Sequence, residues 1–217
     1  MRKYKLKSAT QQSVEAALRI RTSVKRWTDE DLLFASVRKK FSALAYRDSL
    51  LKCVLVNSLY GTNVRSLAPM AEHIVKILSS PNRQRGKELV PAIAKRETSA
   101  RVDTSFASKF CHLFIDSSIP IYDSVAKETL KSLLGEAFKR DDVRETRYQV
   151  FCDNFDRARG SIAANSTIRD FDHFLWISGS YVRWKNDKNV NSELAKLFKT
   201  PSAKIRRDLM ILDRGLG

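Results

Sequence analysis

Apolar residues recur at helical spacing along most of the chain, which predicts a series of amphipathic helices. The predicted helices cover residues 8–26, 28–45, 48–60, 64–78, 87–95, 104–115, 124–134, 141–158 and 168–178, followed by two stretches that Thr200-Pro201 separates and that end near Asp213. The chain carries no internal repeat and no clear strand pattern. The sequence therefore predicts an all-α protein.

Capping residues predict several helix boundaries. Thr28, followed by three acidic residues, has the features of an N-cap with a negatively charged first turn, and Asp48 can cap the next helix. Gly61, Gly135 and Gly179 each follow an apolar helical run and predict its end. The expected inward positions of the second and third helices are Leu32, Leu33, Val37, Phe41 and Leu44, and Leu50, Leu51, Val54, Leu55 and Leu59.

Length and composition favour a single helical domain. The chain has 217 residues with 43% apolar content, which can fill a substantial core, and only 7 Gly and 5 Pro. We expect one domain over residues 1–217. Two lobes at residues 28–100 and 101–180, with a basic helical C-terminal tail, are the alternative organisation.

Charge points to a polyanionic partner. The formal net charge is +16 and the pI is near 10.0, which favours DNA or RNA over a role in solubility alone. Cys53, Cys111 and Cys152 are far apart and lack metal-ligand spacing, so we expect reduced core thiols, no metal and no cofactor. No apolar run is long enough for a membrane span and no secretion signal is apparent, so we expect a soluble protein of the cytosol. We also expect a monomer.

Residues 104–135, TSFASKFCHLFIDSSIPIYDSVAKETLKSLLG, hold the main candidate for chemistry. An apolar helix runs into a Ser/Pro turn, and Asp123 stands at the start of the next helix. A carboxylate at this position either caps the helix or faces a nucleic acid. The residues alone leave both interpretations open.

Two stretches resemble the helical DNA-glycosylase superfamily, the helix–hairpin–helix group that includes endonuclease III and the 8-oxoguanine glycosylases. SLLKCVLVNSLYGTNVRSLAPMAEHIVKIL is similar to an early core helix of the family, its Asn-rich turn and the helix that follows. FASKFCHLFIDSSIPIYDSVAKETLKSLLG is similar to the second hairpin helix and the Asp-bearing segment after it, with Asp123 as the family's aspartate. The resemblance covers residues 28–180 in outline. It extends to bacterial proteins that are described as having an 8-oxoguanine-glycosylase fold.

The chain also departs from the family pattern. Residues 100–104 (ARVDT) stand where the family hairpin carries Leu-Pro-Gly-Val-Gly, so the helix–hairpin–helix is degenerate. Alignment places Ser105 at the lysine of bifunctional members, with Lys109 one helical turn further on. Ser124 replaces the histidine after the aspartate, and the iron–sulfur cysteine cluster is absent.

The resemblance implies a glycosylase that flips a damaged or modified base out of double-stranded DNA and hydrolyses its N-glycosidic bond. Asp123 would stabilise the positive charge that develops on the sugar and activate the attacking water. We expect a monofunctional enzyme; Lys109 as a Schiff-base nucleophile is the alternative. The resemblance does not identify the excised base, which is either a damaged base such as 8-oxoguanine or a bulky modified base of phage DNA. Whether the enzyme serves DNA repair or defence against phage is also left open.

Further residues follow as candidates for DNA contact. The gap left by the flipped base could be filled from the turn that holds Asn57, Tyr60, Thr62 and Asn63. The alternative is that these residues only form a capping turn. Side chains that can hold phosphates are Ser105, Ser108, Lys109, Lys127 and Lys131. The candidate base pocket comprises Tyr122, Phe171, His173, Phe174 and Trp176, whose rings can stack on a base or form core.

Two rival functions remain open at this stage. A non-catalytic DNA-binding protein could keep the fold and the charge, and the glycine-free hairpin is its best support. A nuclease is the third class, and no cluster of acidic residues at metal-binding spacing supports it.

Overall fold

The computed structural model describes residues 3–43, 45–140 and 147–217, and regular structure within them is helical. The helices are α1 (Gln11–Thr22), α2 (Lys25–Lys40), α3 (Tyr46–Tyr60), α4 (Leu67–Ser79), α5 (Leu89–Ala94), α6 (Thr104–Phe114), α7 (Ser124–Leu134), α8 (Arg147–Ile162), α9 (Ile168–Lys185), α10 (Ser192–Lys199) and α11 (Ala203–Asp213), with short 3₁₀ turns at Gly86–Glu88 and Gly135–Ala137. The all-α prediction is confirmed. None of the helices in these ranges is both long and apolar enough to cross a lipid bilayer.

The chain forms two compact units. Unit 1 comprises Met1–Asp29, Asp123–Arg140 and Asp153–Gly217, and unit 2 comprises Glu30–Tyr122 and Asp141–Cys152. Each unit is thus assembled from separate stretches of the chain, with boundaries other than those of the two expected lobes. The expectation of a single domain stays a prediction.

Close packing of α9 against α7 organises unit 1, in which α1 also packs on α9 and α11. A Cβ added to Gly179 would lie 2.2 Å from Thr129 Oγ1 and 2.6 Å from Val125 Cγ1, so only glycine lets the helices approach this closely. Thr129 Oγ1 donates a hydrogen bond to the Leu175 carbonyl at 3.1 Å. The prediction that Gly179 ends its helix is wrong, because the residue serves helix packing and α9 continues to Lys185.

Unit 2 packs α3 on α4 and α6, and α5 on α4 and α6. Phe106, Phe110 and Phe114 follow one face of α6 and are buried. Phe34 of α2 packs edge-on against Phe114, with ring centres 5.8 Å apart. The prediction of an apolar helix beginning at Thr104 is confirmed.

The start of α2 differs from the predicted one. The capping pattern predicts Thr28 as the N-cap, but the helix begins at Lys25 and Thr28 lies within it. Trp27 is 6% exposed and packs edge-on against Trp176 at 5.3 Å. Because this contact joins residues far apart in sequence, the capping pattern around Thr28 does not reveal it.

The inward faces of α2 and α3 also differ from the predicted ones. Leu32 and Leu33 are 62% and 42% exposed, whereas Phe34 and Val37 are buried. In α3 the buried residues are Ser49, Lys52, Cys53 and Val56, whereas Val54 and Leu59 are exposed, and the N-cap is Ala45 rather than Asp48. Apolar residues surround most of α3, so periodicity alone does not define its inward face. Leu44 and residues 141–146 of the predicted eighth helix lie outside the described residues.

Candidate active site

Asp123 is the N-cap of α7. Its Oδ1 accepts hydrogen bonds from the backbone amides of Val125 at 2.8 Å and Ala126 at 3.3 Å. The side chain is partly exposed. The capping interpretation is therefore confirmed, and it is compatible with catalysis, because the helix N-terminus favours a negatively charged carboxylate. The catalytic role stays a prediction.

Side chains anchor the backbone of the segment that precedes Asp123. His112 Nδ1 lies 2.9 Å from the Ile119 carbonyl oxygen, and because a carbonyl only accepts, the ring nitrogen donates. The Tyr148 hydroxyl donates to the Pro120 carbonyl at 2.6 Å. His112 is 4% exposed, and this hydrogen bond satisfies its ring inside unit 2.

The anchoring extends to Tyr122, the residue immediately before Asp123. Its amide donates to Ser108 Oγ at 2.9 Å, and its carbonyl accepts from Lys109 Nζ at 3.4 Å. The Tyr122 ring is partly exposed and packs edge-on against Phe151 at 5.1 Å. Ser108 is fully buried and also donates to the carbonyl of Ser105, so its hydroxyl binds the backbone on both sides. A direct contact between Ser108 and a phosphate would require the side chain to become accessible.

Lys109 is a buried lysine, with 4% of its surface exposed. Its Nζ donates to Ser105 Oγ at 2.7 Å and lies 5.7 Å from the centre of the Tyr60 ring. Helical side chains tilt toward the N-terminus, so residue i+4 reaches back over residue i. The Lys109 amine thereby reaches the Ser105 hydroxyl.

The turn after α3 is built around Asn57. Asn57 Oδ1 accepts from Thr62 Oγ1 at 2.9 Å and from the Val64 amide at 2.8 Å. Gly61 and Asn63 both have left-handed backbone conformations, with φ of 56° and 57°. Thr62 is buried and Asn63 is exposed, so Asn63 is the more accessible of the two. Tyr60, partly exposed, packs on Phe34 at 5.7 Å.

A hairpin joins α5 to α6 and contacts this turn. Lys95 and Val102 form an antiparallel bridge that closes the hairpin. Arg101 crosses to the turn, where NH1 donates to the Asn63 carbonyl at 2.8 Å and NH2 donates to the Thr62 carbonyl at 3.1 Å. The hairpin and the turn after α3 therefore form one connected surface of unit 2.

A buried ion pair holds the hairpin. Asp103 Oδ2 lies 3.3 Å from Arg96 NH2, and both side chains are at most 9% exposed. Asp103 Oδ1 lies 2.7 Å from Arg101 Nε. The amides of Ser99, Arg101 and Asp103 donate to oxygens within the hairpin or to Ala94, so they are already engaged.

We expect Arg101→Gln to lower the free energy of unfolding by about 1–2 kcal/mol, since it removes two hydrogen bonds to backbone carbonyls and one partner of Asp103. Chemical denaturation measures the change. Arg65→Gln, at an exposed arginine of the neighbouring turn, is the matched control and should leave stability within about 0.5 kcal/mol. Equal stability of the two variants would show that Arg101 does not hold the turn.

The other candidate residues lie in unit 1. Phe171 and Phe174 are fully buried; Phe171 packs on Phe155 at 5.2 Å and on Phe174 at 5.5 Å. These two rings therefore form core, the alternative that the sequence left open, rather than the wall of an accessible pocket. Trp176 and His173 are partly exposed, and Trp176 packs against Trp27. Lys127, also partly exposed, lies one helical turn after Asp123.

The described residues contain no group of acids, histidines and cysteines arranged to hold a metal ion. Cys53, Cys111 and Cys152 are free and buried. Burial raises the pKa of the Cys53 thiol to about 12 and raises that of Cys111 further. These thiols are thus core residues, as predicted, and at neutral pH Cys53 and Cys111 carry little of the reactive thiolate.

Known proteins match only part of this chain. A family model described as "HI_0787_N: N-terminal domain" matches residues 14–118, a span that includes Asn63 and Lys109 and ends before Asp123. An uncharacterized protein of Haemophilus influenzae is 27% identical over 135 residues, which cover 58% of this chain and 63% of that protein. The chain thus spans less than two thirds of this relative. No solved structure matches.

Sequence patterns do not predict several residues of the site. Tyr148 lies in a helix without a functional pattern, and its contact with Pro120 spans 28 positions of the chain. The pairing of Arg96 with Asp103 lies within the loop between α5 and α6, whose composition is that of a solvated linker. The sequence feature that could have predicted this ion pair is the presence of opposite charges seven positions apart in a largely basic segment.

Proposed function

We propose that this protein is a monofunctional DNA glycosylase that flips a damaged or modified base and hydrolyses its N-glycosidic bond. In this mechanism Asp123 stabilises the positive charge on the sugar and orients or deprotonates the attacking water. The product is an abasic site in double-stranded DNA. We place the protein in the bacterial cytosol as a monomer, a proposal in keeping with its buried free thiols.

The observation that carries the proposal is the anchoring of residues 119–122. Hydrogen bonds from His112, Tyr148 and Lys109 hold three of their carbonyls, and Ser108 accepts from one of their amides. A helix cap needs only the carboxylate of Asp123 itself. Fixing the backbone up to the residue before a carboxylate is the preorganisation that catalysis requires of an electrostatic group.

The experiment uses duplexes that each carry one modified base: oxidised, alkylated, deaminated or bulky and sugar-modified. After incubation, heating in alkali converts abasic sites into strand breaks. We expect breaks with at least one substrate, and only after alkali. Binding to every duplex without breaks at any of them would contradict the proposal.

We expect no covalent protein–DNA complex when the reaction is run with borohydride, because attack by water leaves no imine to reduce. Gel electrophoresis of labelled substrate under denaturing conditions measures the complex. A complex that forms with wild type and with Lys127→Gln, but is lost in Lys109→Gln, would instead assign Lys109 as a nucleophile.

One observation favours the second candidate, a non-catalytic DNA-binding protein. The hairpin amides of Ser99, Arg101 and Asp103 are bonded within the protein, so they cannot hold a phosphate as the family's glycine-rich hairpin does. Binding at the hairpin would then depend on basic side chains. DNA binding that persists with no base removal on any substrate is the outcome this candidate predicts.

A further inference from the structure

Unit 1 contains an open groove of about 1000 Å³ between residues 3–7 and the helices α7 and α9. Backbone pairing fixes the first of these elements. The Lys5 amide donates to the Gly217 carbonyl at 3.0 Å, the Gly217 amide donates back at 2.9 Å, and the Lys7 amide donates to the Gly215 carbonyl at 2.8 Å. The groove therefore has an ordered edge.

The groove combines an apolar floor with a basic rim. Leu6 and Val125, two of its apolar residues, are 2% and 8% exposed. The basic side chains that line it are Lys3, Lys5, Lys7, Lys131, Arg183, Lys185 and Lys188. Glu128 and Asp187 are its acidic residues, so positive charge prevails.

Most of this positive charge is uncompensated. Arg183 lies 3.5 Å from Glu128, and Lys185 lies 3.1 Å from Asp213. The remaining lysines of the rim are exposed and form no ion pair with a carboxylate in the part of the chain that the structure describes: Lys3, Lys5, Lys7, Lys131 and Lys188. A concave surface lined by unpaired cations produces a strong positive electrostatic potential, which attracts an anionic ligand.

The spacing of the lysines favours a row of phosphates over a single anion as the ligand. Leu6 is buried and pairs with Leu216, whereas Lys5 and Lys7 on either side of it are exposed. In strand-like backbone, alternate residues lie about 6.6 Å apart, a repeat close to that of successive phosphates along a nucleic-acid strand. One small phosphate could engage only part of such a row.

We infer that this groove binds the phosphodiester backbone of a nucleic-acid strand, with the unpaired lysines on the phosphates and the apolar floor beneath the sugars. The inference rests on the nucleic-acid partner of the proposed function but not on base removal. It assigns unit 1 a binding surface separate from the turn and hairpin of unit 2.

The test is the salt dependence of binding to an unmodified duplex, measured by fluorescence anisotropy between 50 and 200 mM salt, roughly the range over which counterion release dominates. The variant K5Q/K131Q/K188Q should reduce the slope of log K against log salt by about 2–3, since each lost phosphate contact contributes about 0.9. We expect affinity at low salt to fall by about tenfold or more.

The matched control K196Q/K199Q/K204Q removes the same charge from exposed lysines of α10 and α11, outside the groove. Its slope should change by less than about 1. Equal slopes for the two variants, or tighter binding of wild type to vesicles of anionic phospholipid than to DNA at the same salt, would overturn the inference. Base removal at saturating protein is measured separately, so loss of that activity alone leaves this result intact.

Discussion

Asp123→Asn abolishes base removal while the protein stays folded; this is the first result that we expect. Replacing the carboxylate with an amide removes the charge that stabilises the sugar cation in the proposed mechanism, and a preorganised electrostatic group of this kind contributes about 10²–10³-fold to the rate. The loss of the water-activating base adds to this effect. Single-turnover base removal from the best substrate should therefore fall by at least about 10²-fold.

Stability separates a catalytic role from a capping role in this variant. Asn is as good an N-cap as Asp and can accept the same hydrogen bonds from Val125 and Ala126, so we expect the free energy of unfolding to change by less than about 0.5 kcal/mol. Asp156→Asn, at an exposed position on α8, makes the same charge change and should keep full activity. An active Asp123→Asn protein would remove Asp123 from the mechanism.

We expect Gly179→Ala to destabilise the protein clearly. The added Cβ would meet Thr129 Oγ1 at 2.2 Å and Val125 Cγ1 at 2.6 Å, so α9 and α7 must separate. Overpacking of this kind costs about 1–3 kcal/mol, more than the gain in helix propensity from Gly to Ala. We expect the midpoint of thermal unfolding to fall by about 2–4 °C for each kcal/mol of net destabilisation, the scale for a chain of this length.

Gly160→Ala is the matched control, because Gly160 lies in α8 and nothing comes within 4 Å of a Cβ added there. Alanine should raise stability at that exposed helical position by up to about 1 kcal/mol. A double-mutant cycle with Thr129→Ala should show that the cost of Gly179→Ala shrinks when Thr129 Oγ1 is absent. A stabilised Gly179→Ala protein would show that the helices do not require glycine at their contact.

The sequence predicts helices well wherever a local signal and the packing agree. The helix at residues 104–115, the turn at Gly61, the cap at Asp123 and the break at Thr200-Pro201 all follow from neighbouring residues. Local rules fail where a distant contact overrides them. Gly179 has the pattern of a C-cap and instead accommodates Thr129, 50 positions away in the sequence.

The candidate site follows the same division. Asp123 at its helix N-terminus could be predicted from a few residues, whereas the anchoring of residues 119–122 by His112, Ser108 and Tyr148 depends on packing within unit 2. The aromatic cluster at residues 171–176 shows the limit of composition. Rings that can stack on a base can equally fill a core, and burial alone separates the two.

The release of free base from DNA tests the central claim most directly, because it works for any excised base. Wild-type protein is incubated with DNA that contains many damaged and modified bases, the DNA is removed, and mass spectrometry identifies bases left in solution. We predict that one modified base, or one class, appears with wild type and stays at background with Asp123→Asn. No free base above background, with DNA binding intact, would contradict the glycosylase and favour a protein that only binds DNA.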